Sequence, residues 1–312
     1  MHFPVKSGLL RRSQLVNRAV NNVDLTIMQG ETLGLVGESG CGKSTLGRCI
    51  ARLYKPTAGQ IHYQGADLAS LGQKALLPYR RDIQMIFQDP MESLNARHTV
   101  QEILEEPLVI HGIGSASNRR KEVNRLLDLV GLPKRSATRF PFEFSGGQRQ
   151  RIGIARAIAL RPKLIICDEP VSALDVSIQS QILNLLLDLQ SEFGLAYLFI
   201  AHDLAVVKHI SDRIAIMYLG QIVETASGDT VYQDPRHPYT QSLISAIPVP
   251  DPTVKKERII LSGDVPSPIA PPSGCHFHPR CPACFEPCAE TAPELKETDA
   301  GHSVRCHLES KA

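Results

Sequence analysis

A glycine-rich segment near the N-terminus has the residue types and spacing of a phosphate-binding loop. An apolar run at 33–36 comes directly before it, and a lysine and a hydroxyl residue close it. Glycines allow a turn whose backbone N–H groups converge on phosphate oxygens, and the N-terminus of a following helix adds its positive end. The lysine would reach the β- and γ-phosphates and the hydroxyl would bind Mg²⁺. The predicted nucleotide-binding residues are Gly37, Glu38, Ser39, Gly40, Cys41, Gly42, Lys43, Ser44 and Thr45.

Two adjacent carboxylates follow a second apolar run and suit the hydrolytic half of such a site. Residues 164–167 are apolar and lead into Asp168 and Glu169. At the end of a buried strand, Asp168 would hold Mg²⁺ through water, and Glu169 would polarise the attacking water. Because many strands end in acidic turns, the pair indicates a hydrolytic site only in combination with the phosphate loop upstream.

A third segment, before an amphipathic helix, is the most specific marker in the sequence. Ser145, Gly146, Gly147 and Gln148 combine a helix-capping serine with glycine N–H groups that suit a phosphate. This segment resembles the signature of the ATP-binding-cassette (ABC) family. The resemblance implies that the cofactors are ATP and Mg²⁺. It also implies that these residues bind the γ-phosphate held by a partner cassette, so that two cassettes close around two ATP molecules.

Three further positions match the family in order, and the N-terminus departs from its pattern. By this resemblance Gln88 senses Mg²⁺ and the attacking water, and Asp175 lies in the loop that couples the two sites of a dimer. His202 resembles the switch histidine that contacts the γ-phosphate and positions the base. Phe3 is the candidate for stacking on adenine, with a simple apolar anchor as the alternative. The family's first strand is missing before Phe3, from which we expect an N-terminally short form or a misplaced start.

The segments around these motifs predict an α/β fold. Strand-like and helix-like segments alternate over 20–230, with one strand expected where Val23, Leu25 and Ile27 alternate. Residues 95–157 contain two helical stretches and no convincing strand, which predicts an inserted helical subdomain. We expect a P-loop NTPase fold of the ABC cassette type, with a mostly parallel core sheet and an antiparallel β portion. The predicted domains are a nucleotide-binding domain over 1–230 and a small Cys/Pro-rich C-terminal extension over 231–312.

The tail resembles the C-terminal extension of oligopeptide and dipeptide importer ATPases. The similarity rests on residues 236–240, 262–268 and 274–281 and on the closing stretch 302–306. It implies an ATPase that powers uptake of di- or oligopeptides at the cytoplasmic face of a bacterial inner membrane. The implied partners are a second ABC ATPase subunit, identical or not, two transmembrane permeases and, indirectly, a peptide-binding protein.

Other functions remain as alternatives. A related importer would carry nickel, glutathione or another small solute, and a non-transport ABC ATPase would act on ribosomes or DNA. The single cassette and the absence of sustained heptads disfavour the latter. A catalytically dead regulatory subunit is disfavoured because Glu169, His202 and Ser145 are all present.

The cysteines crowd the end of the chain. Cys275, Cys281, Cys288 and Cys306 occur in a proline-rich segment with little apolar sequence of its own. Four thiolates there suit a structural zinc or a [4Fe–4S] cluster, and the resemblance favours the cluster. Loose buried thiols are the alternative. We interpret Cys41 separately, as a small residue that fills the phosphate loop.

Composition narrows the choice of partners. The formal net charge of +2 and the low aromatic content of 5% give no basic stripe for nucleic acid, so no nucleic-acid partner is expected. No apolar run is long enough for a membrane span, and no signal peptide is evident. We therefore expect a soluble, intracellular chain whose membrane-spanning partners are separate proteins.

Overall fold

The computed structural model describes residues 1–5, 15–248, 257–299 and 301–310. The chain divides into two compact units. Unit 1 comprises Met1–Thr26, Thr32–Ile61 and Ala201–Ala312, and unit 2 comprises Ile27–Glu31 and His62–Ile200.

The strands are β1 (Phe3–Val5), β2 (Leu15–Asn17), β3 (Thr32–Val36), β4 (His62–Tyr63), β5 (Ala66–Asp67), β6 (Ile83–Ile86), β7 (Leu164–Asp168), β8 (Ala196–Ala201), β9 (Arg213–Tyr218), β10 (Gln221–Ser227), β11 (Lys296–Asp299) and β12 (His302–Val304). The α-helices are α1 (Lys43–Ile50), α2 (Leu77–Asp82), α3 (Pro90–Ser93), α4 (Val100–Ile110), α5 (Ala116–Leu129), α6 (Gly146–Ile158), α7 (Val176–Phe193), α8 (Leu204–Ile210), α9 (Gly228–Gln233), α10 (Pro238–Ser245) and α11 (Pro287–Glu290). Short 3₁₀ turns occupy Lys134–Thr138, Pro141–Glu143, His278–Arg280 and Leu308–Ser310.

In unit 1 a run of strands lies in the order β11, β12, β10, β9, β3. Strands β3 and β9 are parallel, with Leu33 opposite Arg213, whereas β10 is antiparallel to both β9 and β12. All five residues of β3 are buried, which explains its uninterrupted apolar run. The combination of a parallel core with an antiparallel portion confirms the predicted sheet.

The C-terminal extension packs into unit 1 more extensively than its sequence suggested. Strand β12 pairs with β10, with Val304 opposite Glu224. The buried carboxylate of Glu224 lies 2.8 Å from His302 Nε2. Phe277 is 2% exposed, and its ring centroid lies 5.2 Å from that of Tyr218. The extension is thus anchored by a strand pair, a buried polar pair and an aromatic cluster.

In unit 2 the strands β6, β7 and β8 are adjacent and parallel. Their carboxyl ends therefore point the same way, which is where ligands bind in open parallel sheets. Helix α7 ends at Gly194, whose φ of 63° is the left-handed conformation expected at a helix end.

Unit 2 contains helices within the range predicted for an inserted subdomain. Helices α4 and α5 form where helical stretches were expected, and the side chain of Thr99 caps the first helix in a capping box with Glu102. Among the helices that the structure describes, none is both long and apolar enough to cross a membrane.

The strand predicted at Val23, Leu25 and Ile27 is wrong. Their side chains are half-buried and alternate with exposed neighbours, as the pattern indicated, but the described backbone there is not in a strand. Alternation reports which face is covered, whereas a strand also needs a partner for its backbone hydrogen bonds.

Candidate nucleotide-binding and hydrolysis site

The predicted phosphate loop lies between β3 and α1 of unit 1, and two of its glycines are required by space. A Cβ on Gly37 would lie 2.1 Å from the carbonyl oxygen of Met217, and one on Gly42 would lie 2.0 Å from that of Ala19. Gly42 also has a φ of 111°, a conformation that favours glycine. The loop can therefore keep its path only with glycine at these positions.

Lys43 turns back into this loop. Its side chain is almost fully buried, and its Nζ donates to the carbonyl oxygens of Gly37 at 2.7 Å and Glu38 at 3.0 Å. Ser44 and Thr45 follow in the first turn of α1 and are half-buried. A buried ammonium at a helix N-terminus is an arrangement that suits phosphate.

Cys41 agrees with its interpretation as a loop filler. The thiol is buried, and burial raises its pKa, so that it stays protonated at neutral pH. Its Sγ would lie 2.8 Å from a Cβ placed on Gly37, which shows how closely the loop packs.

In unit 2 the structure brings two of the predicted catalytic residues together. Asp168 closes β7 and is completely buried, and Glu169 follows it. Gln88 follows β6, the parallel neighbour of β7, and its Nε2 donates to Glu169 Oε2 at 3.0 Å. Glu169 has a φ of 47°, which is unusual for a residue with a side chain. An amide and a carboxylate in this arrangement can orient a water molecule and accept its proton.

The predicted signature segment opens helix α6. Ser145 Oγ accepts from the N–H of Gln148 at 3.4 Å, and Gln148 Oε1 accepts from the N–H of Ser145 at 3.1 Å. Gly147 is buried against helix α7, and a Cβ at this position would lie 2.6 Å from Ile178 Cγ2. Ser145, Gly146 and Gln148 are exposed. The helix start is thus rigid yet accessible to a ligand.

Two further predicted residues flank helices. Asp175 is exposed and precedes α7 without capping it through its side chain. His202 is exposed directly after β8, and its neighbour Asp203 caps α8 by accepting from the N–H of Ala205 at 2.8 Å.

Phe3 lies in β1, which pairs with β2. Its ring meets that of Tyr54 edge-on, with centroids 5.7 Å apart, and the Arg48 guanidinium lies 6.0 Å from the Tyr54 ring. Tyr54 was not among the predicted site residues. Its position shortly after α1, the helix that follows the phosphate loop, was the only sequence feature that pointed to its contact with Phe3. The adenine-stacking role of Phe3 stays a prediction.

Four of the C-terminal cysteines line one cavity. The cavity is lined by Cys275, Cys281, Cys288 and Cys306, with His237 and His278 nearby. Burial raises the pKa of Cys281 and of Cys306 to about 11, so that both are protonated thiols at neutral pH. Across the described residues, no group of three or more His, Cys, Asp or Glu side chains has the arrangement of a metal site. The predicted cluster or zinc is therefore not supported.

Comparison with known families and structures agrees with this geometry. Residues 20–172 match the family described as ABC transporter, and residues 223–288 match the family described as oligopeptide/dipeptide transporter, C-terminal region. A dimeric structure of the ATP-binding cassette MJ0796 bound to ADP and Pi has a TM-score of 0.64 and 33% identity, covering 72% of this chain and 95% of that one. The structure of cbiO1 from Clostridium perfringens has a TM-score of 0.63 and 26% identity, covering 69% and 84%.

Relatives of known name match over almost the whole length. The oligopeptide transport ATP-binding protein AppF of Bacillus subtilis is 54% identical, covering 99% of this chain and 95% of the relative. The putative oligopeptide transport ATP-binding protein YkfD of the same organism is 55% identical, covering 93% and 89%. The chain therefore belongs to the ABC transporter family and is an ABC ATPase with the P-loop NTPase fold. Its C-terminal region belongs to the oligopeptide/dipeptide branch, as the tail predicted.

Proposed function

We propose that this chain hydrolyses ATP to drive uptake of di- or oligopeptides by a bacterial ABC importer. The observation that carries the proposal is the similarity to oligopeptide transport ATP-binding proteins, which runs through both the cassette and the C-terminal region. A nickel, glutathione or other solute importer would share the cassette, so the peptide cargo rests on the C-terminal match.

The nucleotide roles follow the chemistry of each residue. Residues 37–45 bind the phosphates through backbone N–H groups and the Lys43 ammonium, and Phe3 stacks on adenine. By the family resemblance, Ser44, Gln88 and Asp168 would each offer an oxygen of the kind that Mg²⁺ prefers, Asp168 through water, and the burial of the Asp168 carboxylate supports its part. Bound Mg²⁺ would neutralise charge on the phosphate oxygens.

Hydrolysis is assigned to Glu169. Its carboxylate accepts a proton from the attacking water, and the bond from Gln88 holds one carboxylate oxygen in place. His202 contacts the γ-phosphate and positions Glu169.

The assembly contains a second cassette, identical or not. Ser145, Gly146, Gly147 and Gln148 contact the γ-phosphate bound by that partner, with Asp175 in the coupling loop between the sites, and their exposed helix start supports this role. Two membrane permeases bind the pair of cassettes, which lies at the cytoplasmic face of the membrane, and a peptide-binding protein delivers the cargo. We place the boundary between the cassette and the extension near residue 230.

Uptake in cells tests the cargo. In a strain that lacks this gene and requires one amino acid, we expect growth on the free amino acid but not on di- or oligopeptides containing it. The wild-type gene should restore growth on peptides and Glu169→Gln should not. Full peptide-dependent growth without the gene, together with lost uptake of nickel or glutathione, would assign the chain to another importer.

The metal at the cysteines is a finer prediction with its own test. Its support is that four thiols share one cavity, and a metal would have to displace their protons. Iron with acid-labile sulfide in protein purified without oxygen would favour a cluster, and stoichiometric zinc would favour zinc. If the purified protein contains neither an iron–sulfur cluster nor zinc, these cysteines are packing residues.

A further inference from the structure

The side chain of Glu38, the second residue of the phosphate loop, is held by an arginine of the C-terminal extension. Arg280 donates from Nη1 to Glu38 Oε2 at 2.8 Å and from Nη2 to Oε1 at 3.0 Å. The two residues are 242 positions apart in the chain. A bidentate guanidinium–carboxylate pair fixes direction as well as distance. The extension therefore meets the loop at one defined point.

The backbone of Glu38 is held as well. Its N–H donates to the hydroxyl of Tyr239 at 2.9 Å, and its carbonyl oxygen accepts from Lys43 Nζ at 3.0 Å. Tyr239 belongs to α10, beyond the strands of the cassette. The three hydrogen-bonding parts of this loop residue thus all have partners, and two of the three partners lie in the C-terminal part of the chain.

These C-terminal partners are themselves fixed by packing. Arg280 is 8% exposed and Tyr239 is fully buried. The guanidinium of Arg280 lies 5.9 Å from the ring centroid of Tyr218, and the Tyr218 and Tyr239 ring centroids are 4.8 Å apart. Phe277 completes the cluster at 5.4 Å from Tyr239. Because buried, packed side chains have few alternative positions, they impose a position on Glu38.

The charges of the pair matter for a phosphate site. Glu38 introduces a negative charge into a loop that must accept the negative charges of a nucleotide, and like charges at close range oppose binding. The Arg280 guanidinium compensates that charge and keeps the carboxylate turned toward the extension. Without Arg280, the loop would keep the repulsive charge and lose the constraint on its direction.

We propose that Arg280 and Tyr239 are positioning residues for nucleotide binding, through which the C-terminal extension sets the affinity of the phosphate loop. The inference rests on the proposed role of residues 37–45 in binding phosphate. By linkage, the effect is reciprocal: bound Mg²⁺-ATP strengthens the docking of the extension by the same factor as the docked extension strengthens nucleotide binding.

Removal of a single hydroxyl tests the part played by Tyr239. Tyr239→Phe keeps the ring in its cluster and removes the acceptor for the Glu38 N–H. Tyr197→Phe is the matched control, because Tyr197 is equally buried and its hydroxyl donates to Leu186 O at 3.0 Å, far from the loop in sequence. Both variants should lower the melting temperature. Only Tyr239→Phe should raise the ATP dissociation constant of the full-length chain, by about tenfold.

Replacement of the guanidinium tests the part played by Arg280. Arg280→Met should raise the ATP dissociation constant by about tenfold or more. Arg280→Lys should restore only part of the lost affinity, because lysine keeps the charge without the two parallel bonds. Arg305→Met is the control, since Arg305 belongs to the same extension but donates to the carbonyl oxygens of Ile222 and Pro293. In the reciprocal test, Mg²⁺-ATP should slow hydrogen exchange over residues 275–288 in the wild type but not in Arg280→Met.

Lys43→Ala separates the two levels of the proposal. If Lys43→Ala binds ATP as the wild type does, the phosphate-loop assignment itself is wrong. If Lys43→Ala loses ATP binding while Tyr239→Phe and Arg280→Met bind normally, the loop assignment stands and the positioning role is refuted. Equal losses of affinity in Arg305→Met and Arg280→Met would reduce the role of Arg280 to general stability of the extension.

Discussion

At the scale of single residues, Glu169 combines an uncommon backbone with a defined side-chain partner. A left-handed φ on a residue with a side chain costs about 1–3 kcal/mol, and such conformations cluster at functional sites. The N–H of Glu169 donates to Ile200 O at 3.0 Å, and its carbonyl oxygen accepts from Ser172 Oγ at 3.1 Å. These bonds hold the strained backbone in place and aim the carboxylate at Gln88.

The first prediction concerns the assigned base. In the assembled transporter, Glu169→Gln should lower kcat for ATP hydrolysis by about 10²–10⁴-fold, because an amide cannot accept the proton of the attacking water. ATP affinity should change little, since the size and hydrogen-bonding geometry are kept. Glu192→Gln, at an exposed position of α7, is the control and should hydrolyse ATP normally. Unchanged kcat in Glu169→Gln would refute the assigned base.

The second prediction concerns the pH dependence of stability. Burial, followed by the charge of Arg305, lowers the pKa of His237 from 6.5 to about 3. The unfolded chain therefore binds more protons than the folded chain between these two values. The free energy of unfolding should fall as pH is lowered through this window, by at most about 1.4 kcal/mol per pH unit from this residue.

Denaturant unfolding at several pH values measures this dependence. His237→Gln should lose part of the slope, whereas His209→Gln, at an exposed position of α8, should keep it. The same slope in the wild type and in His237→Gln would mean that other groups control acid unfolding.

At the scale of elements, helix α6 must start at a fixed place for its signature residues to act. Its N-terminus is set by the capping box of Ser145 and Gln148 and by the close approach of Gly147 to Ile178. The N-terminus of α6 therefore lies directly against the N-terminal part of α7.

The third prediction uses two glycines of this helix. Gly147→Ala places a methyl 2.6 Å from Ile178 Cγ2 and should both destabilise the chain and impair ATP hydrolysis in the assembled transporter. Gly153→Ala, in the same helix with nothing within 4 Å, should instead stabilise it by about 0.5–1 kcal/mol. Thermal unfolding and ATPase rates of the two variants measure these effects. If Gly147→Ala were as stable and as active as Gly153→Ala, the proposed packing of Gly147 against Ile178 would be contradicted.

At the scale of the whole molecule, the proposed function requires each chain to supply half of an active site. The fourth prediction follows: Ser145→Arg should leave ATP binding by the isolated chain unchanged, yet it should strongly reduce hydrolysis in the assembled transporter, because the partner's γ-phosphate meets a bulky side chain. Ser191→Arg, on the exposed surface of α7, should hydrolyse ATP normally. Loss of ATP binding by the isolated Ser145→Arg chain would contradict action in trans.

The sequence was informative wherever function depends on neighbours along the chain. The phosphate loop, the signature helix and the two carboxylates at the end of β7 follow from short motifs placed between predicted strands and helices. The hydrogen bond from Gln88 to Glu169 is harder to predict from the sequence, because it forms only if β6 and β7 are parallel neighbours.

Contacts between distant segments could not be predicted in this way. No spacing in the sequence indicates that Arg280 pairs with Glu38, because the pairing depends on how the extension packs rather than on periodicity. The same reason explains why the tail seemed to have little core: its strands complete a sheet whose other members lie elsewhere in the sequence. The half-buried segment at Val23 shows the converse, since its burial alternates as predicted while its described backbone is not in a strand.

Peptide-stimulated ATPase activity tests whether ATP hydrolysis by this chain drives peptide uptake. The measurement uses the complete transporter in proteoliposomes, with this chain, its partner cassette, the permeases and the peptide-binding protein. We predict that a transported peptide raises the ATPase rate severalfold and accumulates inside, and that Glu169→Gln abolishes both effects. A rate that responds to nickel or glutathione but not to any di- or oligopeptide would contradict the account.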